Sequence, residues 1–330
     1  MPNKELRPAC IDIREDDLWD ISPEVLETLL RDHTTRKNIF WATHDYEALG
    51  SAYDYHSQIL PELITGENGM VIRPRVLKSK EEQTDRSKDM AEVFTPSWVC
   101  NAQNNLVDEA WFGRKDVFNV EDSANHTWQN NPNKIEFPDG KTWKDYVRAT
   151  RWEITCGEAP YLVSRYDTTT GETIPLEQRI GLLDRKLRVV SENTETSGEW
   201  LDMAQEAYMH TYGFEWQGDN LLLAREALLW TFIEYYQAKF GKAPLVKSIN
   251  YIAYIISWNL FQMDGLKGVV PDSCHSQIEI SGGLFDERTE RIIPCPGCEK
   301  EDIHHHNGTY CLIRDWPNDK KKIRFIDLMK

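Results

Sequence analysis

The sequence predicts an α/β fold: a parallel, doubly wound sheet with a helical N-terminal extension and a small cysteine-rich insertion. Three stretches carry that expectation. "WEITCGEAPYL" (152–162) reads as a short strand, a tight turn at Gly157 and a helix start. "YGFEWQGDNLLLAREALLWTFIEYY" reads as a strand ending at Glu215 that runs into a long amphipathic helix. "SWNLFQMDGL" (257–266) reads as a third strand ending at Asp264. Repeated strand–turn–helix units return each strand in the same direction, which builds a parallel sheet. The carboxyl ends of the strands then share one edge, where such sheets bind ligands.

The remaining segments follow from local pattern. Residues 1–90 form the helical N-terminal extension; "SPEVLETLLRDHTT" opens on Ser22 as a helix cap, with leucines at helical spacing. The charged run 76–92 is expected to be a solvated linker or helix face. Residues 91–270 form the ligand-binding part. In it Thr95-Pro96 leads into a helix whose apolar side holds Val99, Ala102, Leu106, Ala110 and Trp111. Residues 271–312 form the cysteine-rich insertion. Residues 313–330, ending "IRFIDLMK", read as the approach to a buried strand, with Ile323, Phe325 and Ile326 as its apolar positions.

With 330 residues, 40% hydrophobic and 28% charged, the composition is that of a globular chain. The longest apolar candidate, Ile249 to Phe261, is shorter than the roughly 18–20 residues that span a bilayer, and the N-terminus has no signal-peptide core. These point to the cytoplasm. The net charge of −16 argues against a chain that grips nucleic acid alone, because phosphate contacts supply most non-specific affinity.

Four of the seven cysteines crowd together: Cys274, Cys295, Cys298 and Cys311, spaced C-x20-C-x2-C-x12-C. Two residues between Cys295 and Cys298 let both thiolates of a knuckle reach one tetrahedral Zn²⁺. His304, His305 and His306 offer substitutes for the last ligand. Four protein ligands leave no open position, so the zinc is expected to be structural.

At the strand ends, Glu215 stands where a carboxylate accepts hydrogen bonds from ribose hydroxyls, and Asp264 would reach the base. Gly157 lets backbone N–H groups come close to a ligand. There is no GxGxxG, so this reasoning reaches an adenosine-type ligand and stops.

"AEVFTP", "ITCGEAPYL", "YGFEWQGDNLLLARE" and "NLFQMDGL", in that order, resemble the cofactor motifs of gamma-class N6-adenine DNA methyltransferases of restriction-modification systems. The resemblance covers roughly residues 30–330. It implies a partial Rossmann-like methyltransferase sheet in which Phe94, Thr95 and Pro96 contact S-adenosylmethionine. Glu153, Cys156, Gly157 and Ala159 would form the methionine-side loop. Glu215 and Trp216 would hold the ribose and flank the adenine, and Asp264 would bond its amino group. Ala159 stands where the family usually has a second glycine, and Glu153 where Asp is more usual.

The family's catalytic Asn-Pro-Pro-Tyr is missing; Asn131-Pro132 precedes the cofactor loop and is in the wrong place. The resemblance therefore implies the cofactor-binding half of a split enzyme, a heterodimer with no catalytic residue on this chain. A partner polypeptide would supply the fourth strand, the catalytic motif, the DNA-reading domain and the positive charge. The strand at 152–155 would be left as an open edge for that partner. The alternative is a catalytically inactive scaffold or regulatory protein of the same fold, or an acidic mimic of DNA.

Overall fold

The computed structural model describes residues 11–89, 92–281, 289–318 and 321–329. Its elements in order are α1 (Glu15–Ile21), α2 (Pro23–Leu30), α3 (Lys80–Asp89), α4 (Ser97–Phe112), β1 (Asn119–Asp122), β2 (Thr127–Asn130), α5 (Trp143–Arg148), β3 (Arg151–Glu153), α6 (Leu182–Asn193), α7 (Ser197–Met209) and β4 (Thr211–Glu215). There follow α8 (Gly218–Phe240), α9 (Val246–Asn259), β5 (Leu260–Gln262), β6 (Gln277–Ser281), β7 (Thr289–Ile293), α10 (Pro296–Lys300), β8 (Leu312–Asp315) and β9 (Lys321–Arg324). Among the described residues no helix is long and apolar enough to cross a membrane.

The architecture mixes helices with small sheets. Strands β3, β4 and β5 form a three-stranded parallel sheet in that order, with Trp152 opposite Tyr212 and Phe214 opposite Phe261. The other three sheets are antiparallel pairs: β1–β2, β6–β7 and β8–β9. Strand β3 pairs only with β4, so its other edge is free of any described strand, and Ile154 just beyond it is 70% exposed.

Local chemistry sets the helix limits. Thr142 and Asp145 form a capping box at α5, and Thr196 and Glu199 another at α7. Each satisfies two backbone N–H groups that the first turn leaves without partners. Helices α4 and α8 stop at Gly113 and Gly241, both left-handed. Ser22 flanks α2 in extended conformation, but its side chain makes no capping bond.

Helix α8 is the axis of the molecule. Every residue from Gly218 to Tyr236 is buried, which a helix achieves only when wrapped on all sides. It packs on α2, α6, α9, β4 and β5. The N-terminal segment is integral to this core rather than appended to it: Leu18, Leu26, Leu29, Leu30, Trp41 and Ile59 bury in the same apolar cluster as α8 and α9. Between Arg31 and Ser79 it is mostly irregular chain with short 3-10 turns, so its helical character is confined to α1, α2 and α3.

One buried cation ties these parts together. The Arg225 guanidinium on α8 donates to the carbonyls of Leu29 and Arg31 at the end of α2, of Ser257 in the last turn of α9, and of Leu260 in β5. Those of Leu29, Arg31 and Ser257 are carbonyls that helix ends leave unsatisfied.

Four sequence expectations change here. The third strand is shorter than 257–266, because Ser257, Trp258 and Asn259 complete α9 and Asp264 lies just past β5. The run 76–92 takes the helix-face alternative, with Lys80, Glu81, Glu82, Thr84, Asp85 and Lys88 exposed on α3, but with one inward member, since Arg86 is buried against Asp45, Glu92 and Asp219. The buried side of α4 is mostly polar, with Asn101, Asn104 and Asp108 inside beside Cys100 and Phe112, and Leu106 64% exposed. Arg185 donates to Asp108, Asn101 and Asn105 across that face, so buried hydrogen-bonding pairs replaced the apolar stripe. Finally, the described part of 313–330 is not one continuous approach strand. Ile323 belongs to the β8–β9 hairpin, and Phe325–Leu328 is a 3-10 turn. Phe325 packs on Trp152, Phe214 and Phe261, and this cluster draws on no helix. A hairpin therefore covers this face of the sheet, where a doubly wound fold would place helices.

Replacing Arg225 with Met should strand several buried carbonyls and lower unfolding stability by roughly 3 kcal/mol or more. Urea denaturation measures it. A loss below about 1 kcal/mol would mean the clamp is dispensable.

Candidate functional site

The strand ends bring the expected residues to one edge. Glu153 closes β3, Glu215 closes β4, and Asp264 follows β5. The turn after β3 joins them: the Cys156 N–H donates to the Phe214 carbonyl, and the Gly157 N–H donates to Glu215 Oε2 at 2.8 Å. Phe94 closes over this turn, because a Cβ added at Gly157 would lie 3.5 Å from its ring. Arg75 stacks on Phe94, 5.2 Å from the ring centre.

Glu153 organises its own loop. Its carboxylate accepts the N–H groups of Tyr161 (3.3 Å) and Leu162 (3.1 Å). Burial pushes its carboxyl well above the usual carboxylate range, against the opposing pull of those two bonds. Ala159 is fully buried with φ of 60°, and Thr155 has φ of 47°. Both are left-handed, a conformation that costs an L-residue roughly 1–2 kcal/mol. The backbone at Ala159 thus keeps a glycine-like shape although the side chain is not glycine.

Glu215 is 7% exposed. Besides Gly157 it accepts the N–H groups of Trp216 (2.9 Å) and Gln217 (3.3 Å) on Oε1. Three of a carboxylate's roughly four acceptor positions are therefore taken. Burial raises its carboxyl above the usual range, and the three N–H groups oppose that. Asp264 is 5% exposed; it accepts the N–H groups of Leu266 and Lys267 and lies 3.2 Å from the Lys267 ammonium. Trp216 donates its indole N–H to the Tyr55 hydroxyl at 2.9 Å.

Thr95 and Pro96 have other partners. The Thr95 carbonyl accepts the Thr168 hydroxyl, Pro96 caps α4, and the Ser97 N–H donates to Asp167. Only Phe94 of that segment is shown against the Gly157 turn.

Sequence reasoning missed several residues that build this edge. Gln262 bonds both the N–H and the carbonyl of Phe40 and also the Trp216 carbonyl, which seats the 38–58 chain beside the strand ends. A glutamine buried inside a short apolar strand was the available signal. Glu158 is buried and accepts the Arg75 N–H and the Tyr166 hydroxyl, both at 2.6 Å. Asp219, at the start of α8, gathers Arg86, Lys78 and the Tyr46 hydroxyl. No periodicity marks such a network, because Asp219 lies 133, 141 and 173 residues from Arg86, Lys78 and Tyr46.

A second cluster holds Cys274, Cys295, Cys298 and His306, whose ligand atoms all lie within 4.8 Å of one another. Tetrahedral zinc, with bonds of about 2.3 Å to sulfur and 2.0–2.1 Å to nitrogen, sets S···S near 3.8 Å and S···N near 3.5 Å. Here Cys274 Sγ and Cys298 Sγ are 3.5 Å apart, and His306 Nδ1 lies 3.4, 3.6 and 3.6 Å from Cys274, Cys295 and Cys298. The cluster could hold a metal ion such as zinc. Asn307 donates its N–H to Cys295 Sγ at 3.2 Å. Gly297 is required for closure, since a Cβ there would sit 2.6 Å from the His306 nitrogen.

Cys311 is not part of this cluster. It is fully buried under β8, its N–H bonds to the Gly268 carbonyl, and its thiol donates to the Gln262 carbonyl at 3.3 Å. Burial pushes that thiol well above its usual range. The histidine run supplies the fourth candidate ligand instead: His306 lies in the cluster, while His305 pairs with Asp302 on the surface.

Comparison with protein-family models, curated proteins and solved structures found no match.

Elemental analysis of purified protein should find about one zinc per chain. Cys298→Ser and His306→Ala should lose most of it, and Cys311→Ala should keep it. The reverse pattern would restore the cysteine-only ligand set. At the turn, Ala159→Gly should leave the fold intact and raise stability by about 0.5–1 kcal/mol by relieving the left-handed alanine. A loss of stability would show that the Ala159 methyl packs too well to be spared.

Proposed function

We propose that this chain is the S-adenosylmethionine-binding part of a split N6-adenine DNA methyltransferase. The observation that carries the reading is the convergence of Phe94, Gly157 and Glu215, three residues from three separate motifs, at the carboxyl edge of a parallel sheet. Asp264 stands at the same edge one strand further on.

The residues fit the cofactor in type. Glu215 offers a carboxylate for two ribose hydroxyls, Asp264 offers one for an adenine amino group, and the Gly157 turn lets backbone come close. When bound, S-adenosylmethionine supplies an electrophilic methyl group. The fit requires movement: the Gly157 N–H must leave Glu215, and Phe94 must lift from the turn, before a diol can reach the carboxylate. An amino group attacks a sulfonium methyl without a strong base, so positioning is the main contribution asked of the protein.

Methyl transfer is completed by a partner chain that supplies the catalytic Asn-Pro-Pro-Tyr strand and reads DNA. The edge of β3 supports this, because a parallel edge with no described strand paired to it, and with Ile154 exposed just beyond, offers a place for an added strand. A basic partner would also offset the charge of −16. The metal we take to be zinc, bound by Cys274, Cys295, Cys298 and His306 in a structural role, because four protein ligands leave no reactive position.

One observation favours a second reading, a catalytically inactive scaffold or acidic DNA mimic of the same fold. Glu215 and Asp264 are already satisfied by protein N–H groups, and neither is open to solvent.

Co-expression with the product of the adjoining reading frame separates the two. The complex should transfer tritiated methyl from S-adenosylmethionine to DNA. Glu215→Ala and Asp264→Ala should each cut cofactor affinity at least tenfold in equilibrium dialysis. If the isolated chain and the complex both fail to bind cofactor, the scaffold reading stands.

A further inference from the structure

The chain carries 38 basic and 54 acidic residues, yet two basic segments far apart in sequence lie side by side. The first is 31–38, "RDHTTRKN", which leaves α2. The second is the β8–β9 hairpin, whose return strand carries Lys321, Lys322 and Arg324. The Leu312 N–H donates to the Thr34 hydroxyl at 3.0 Å, and the His33 ring stacks on Trp258 of α9 with centres 3.9 Å apart. Lys322 reaches the same indole from the hairpin, 5.1 Å from the ring centre. Trp258 is therefore the point at which the two segments meet.

Their charges are not spent on the protein. Arg31, Arg36, Lys37, Arg314 and Lys322 form no ion pair with any described acid, whereas the buried Arg86, Arg165, Arg179 and Arg185 each do. Arg314 and Lys322 stand directly opposite each other in the β8–β9 register, and like charges so placed are destabilising. Arg314 lies over Tyr254, Trp258 and Trp316, 5.6, 5.6 and 4.8 Å from the ring centres. Its Nε and the Trp258 Nε1 are buried without a hydrogen-bond partner. Burial, and after it the cations Arg225, Lys322, Arg31 and Arg314, hold the His33 ring down at about 3. The neighbouring acids are engaged. Asp32 accepts the N–H groups of Thr34 and Thr35, Asp327 pairs with Arg324, and Asp315 lies opposite Lys321 and accepts from Asn318.

We propose that this ridge binds the phosphodiester backbone of nucleic acid. A small anion meets one or two of these cations, whereas a backbone with one charge per about 3.4 Å of axis on each strand meets cations spread along a surface. The net charge of −16 does not forbid this. The field of exposed charges fades over a Debye length of about 10 Å at 0.1 M salt, so a local patch sets the local potential. The proposal does not rest on the methyl-transfer reading, because binding by the chain alone, without S-adenosylmethionine, tests it separately.

Fluorescence anisotropy of full-length protein with a labelled duplex DNA of about 20 base pairs is the test. At about 50 mM salt, wild type should bind with a Kd of about 100 µM or tighter, and salt should weaken it. Arg36→Gln, Lys37→Gln and Lys322→Gln together should weaken binding about tenfold or more and flatten the slope of log K against log salt by about 2–3, near 0.9 per lost phosphate contact. Lysine-to-glutamine changes at the exposed Lys115, Lys134 and Lys242 remove the same charge elsewhere and should shift Kd less than about twofold. DNA should also shield Lys37 and Lys322 of the wild-type chain from acetylation, a readout that needs no variant. No binding by wild type, equal losses in the two triple variants, or displacement of DNA by inorganic phosphate or polyglutamate at equal charge concentration would overturn the ridge.

Discussion

The buried guanidinium of Arg225 is the interaction on which the arrangement depends. A short parallel sheet of three strands has little cohesion of its own, and β5 is only three residues long. Arg225 reaches from α8 to carbonyls at the end of α2, in the last turn of α9 and in β5. Burial lowers it to about 10, so it is still charged at neutral pH and its bonds to neutral carbonyls are charge-assisted. It fixes where α9 stops and β5 starts, and so fixes where Asp264 emerges beside Glu215. The N-terminal chain is held by the same group, which is how residues near 30 come to lie against residues near 260.

How much of this was legible depended on the reach of the signal. The turn at Cys156-Gly157 and the acidic end of β4 are written in adjacent residues, and both stand where the sequence placed them. The strand at 257–266 was misjudged because "SWNLFQ" is apolar throughout, and a short buried strand cannot be told from a buried helix end by periodicity alone. Helix α4 misled for the opposite reason. Its inward face bonds to Arg185, eighty residues away, so its apolar residues were free to face solvent. Cys311 shares its residue type with the metal ligands, but spacing could not show that the chain has already turned back towards the sheet before reaching it. Distance also hid Gln262, Glu158 and Asp219, whose partners come from segments that no local pattern connects.

The strand-end site stores its constraints in backbone and burial together. Thr155 and Ala159 both hold left-handed conformations within five residues, and Glu153 sits beneath them with both oxygens spent on Tyr161 and Leu162. Strain of that kind persists only where the surroundings impose it, and it clusters where loops meet ligands. Glu215 differs from Glu153 in one respect that matters. Glu153 bonds only to its own loop, whereas Glu215 bonds across to the Gly157 turn. The first is a fixed support. The second is a contact between two segments, and it ties the Gly157 turn to the end of β4.

The metal cluster bears on the same edge through the backbone. Asp264 bridges to Val269, Val269 bridges to Tyr310, and the Val270 N–H donates to the Thr309 carbonyl. Tyr310 in turn accepts the His306 N–H and donates to the Ile303 carbonyl. The four candidate ligands thus close a loop whose two ends are the segment leaving β5 and the segment entering β8. With a metal bound, the ends are held at a fixed separation, and the Asp264 turn is built on one of them. Without it, the only described strands in the insertion are the β6–β7 pair, whose Ile278 and Ile292 face outward, and a lone hairpin of that kind is marginal in water. The candidate metal cluster and the Asp264 turn are therefore not separate features here, because the loop that carries the first begins at the second.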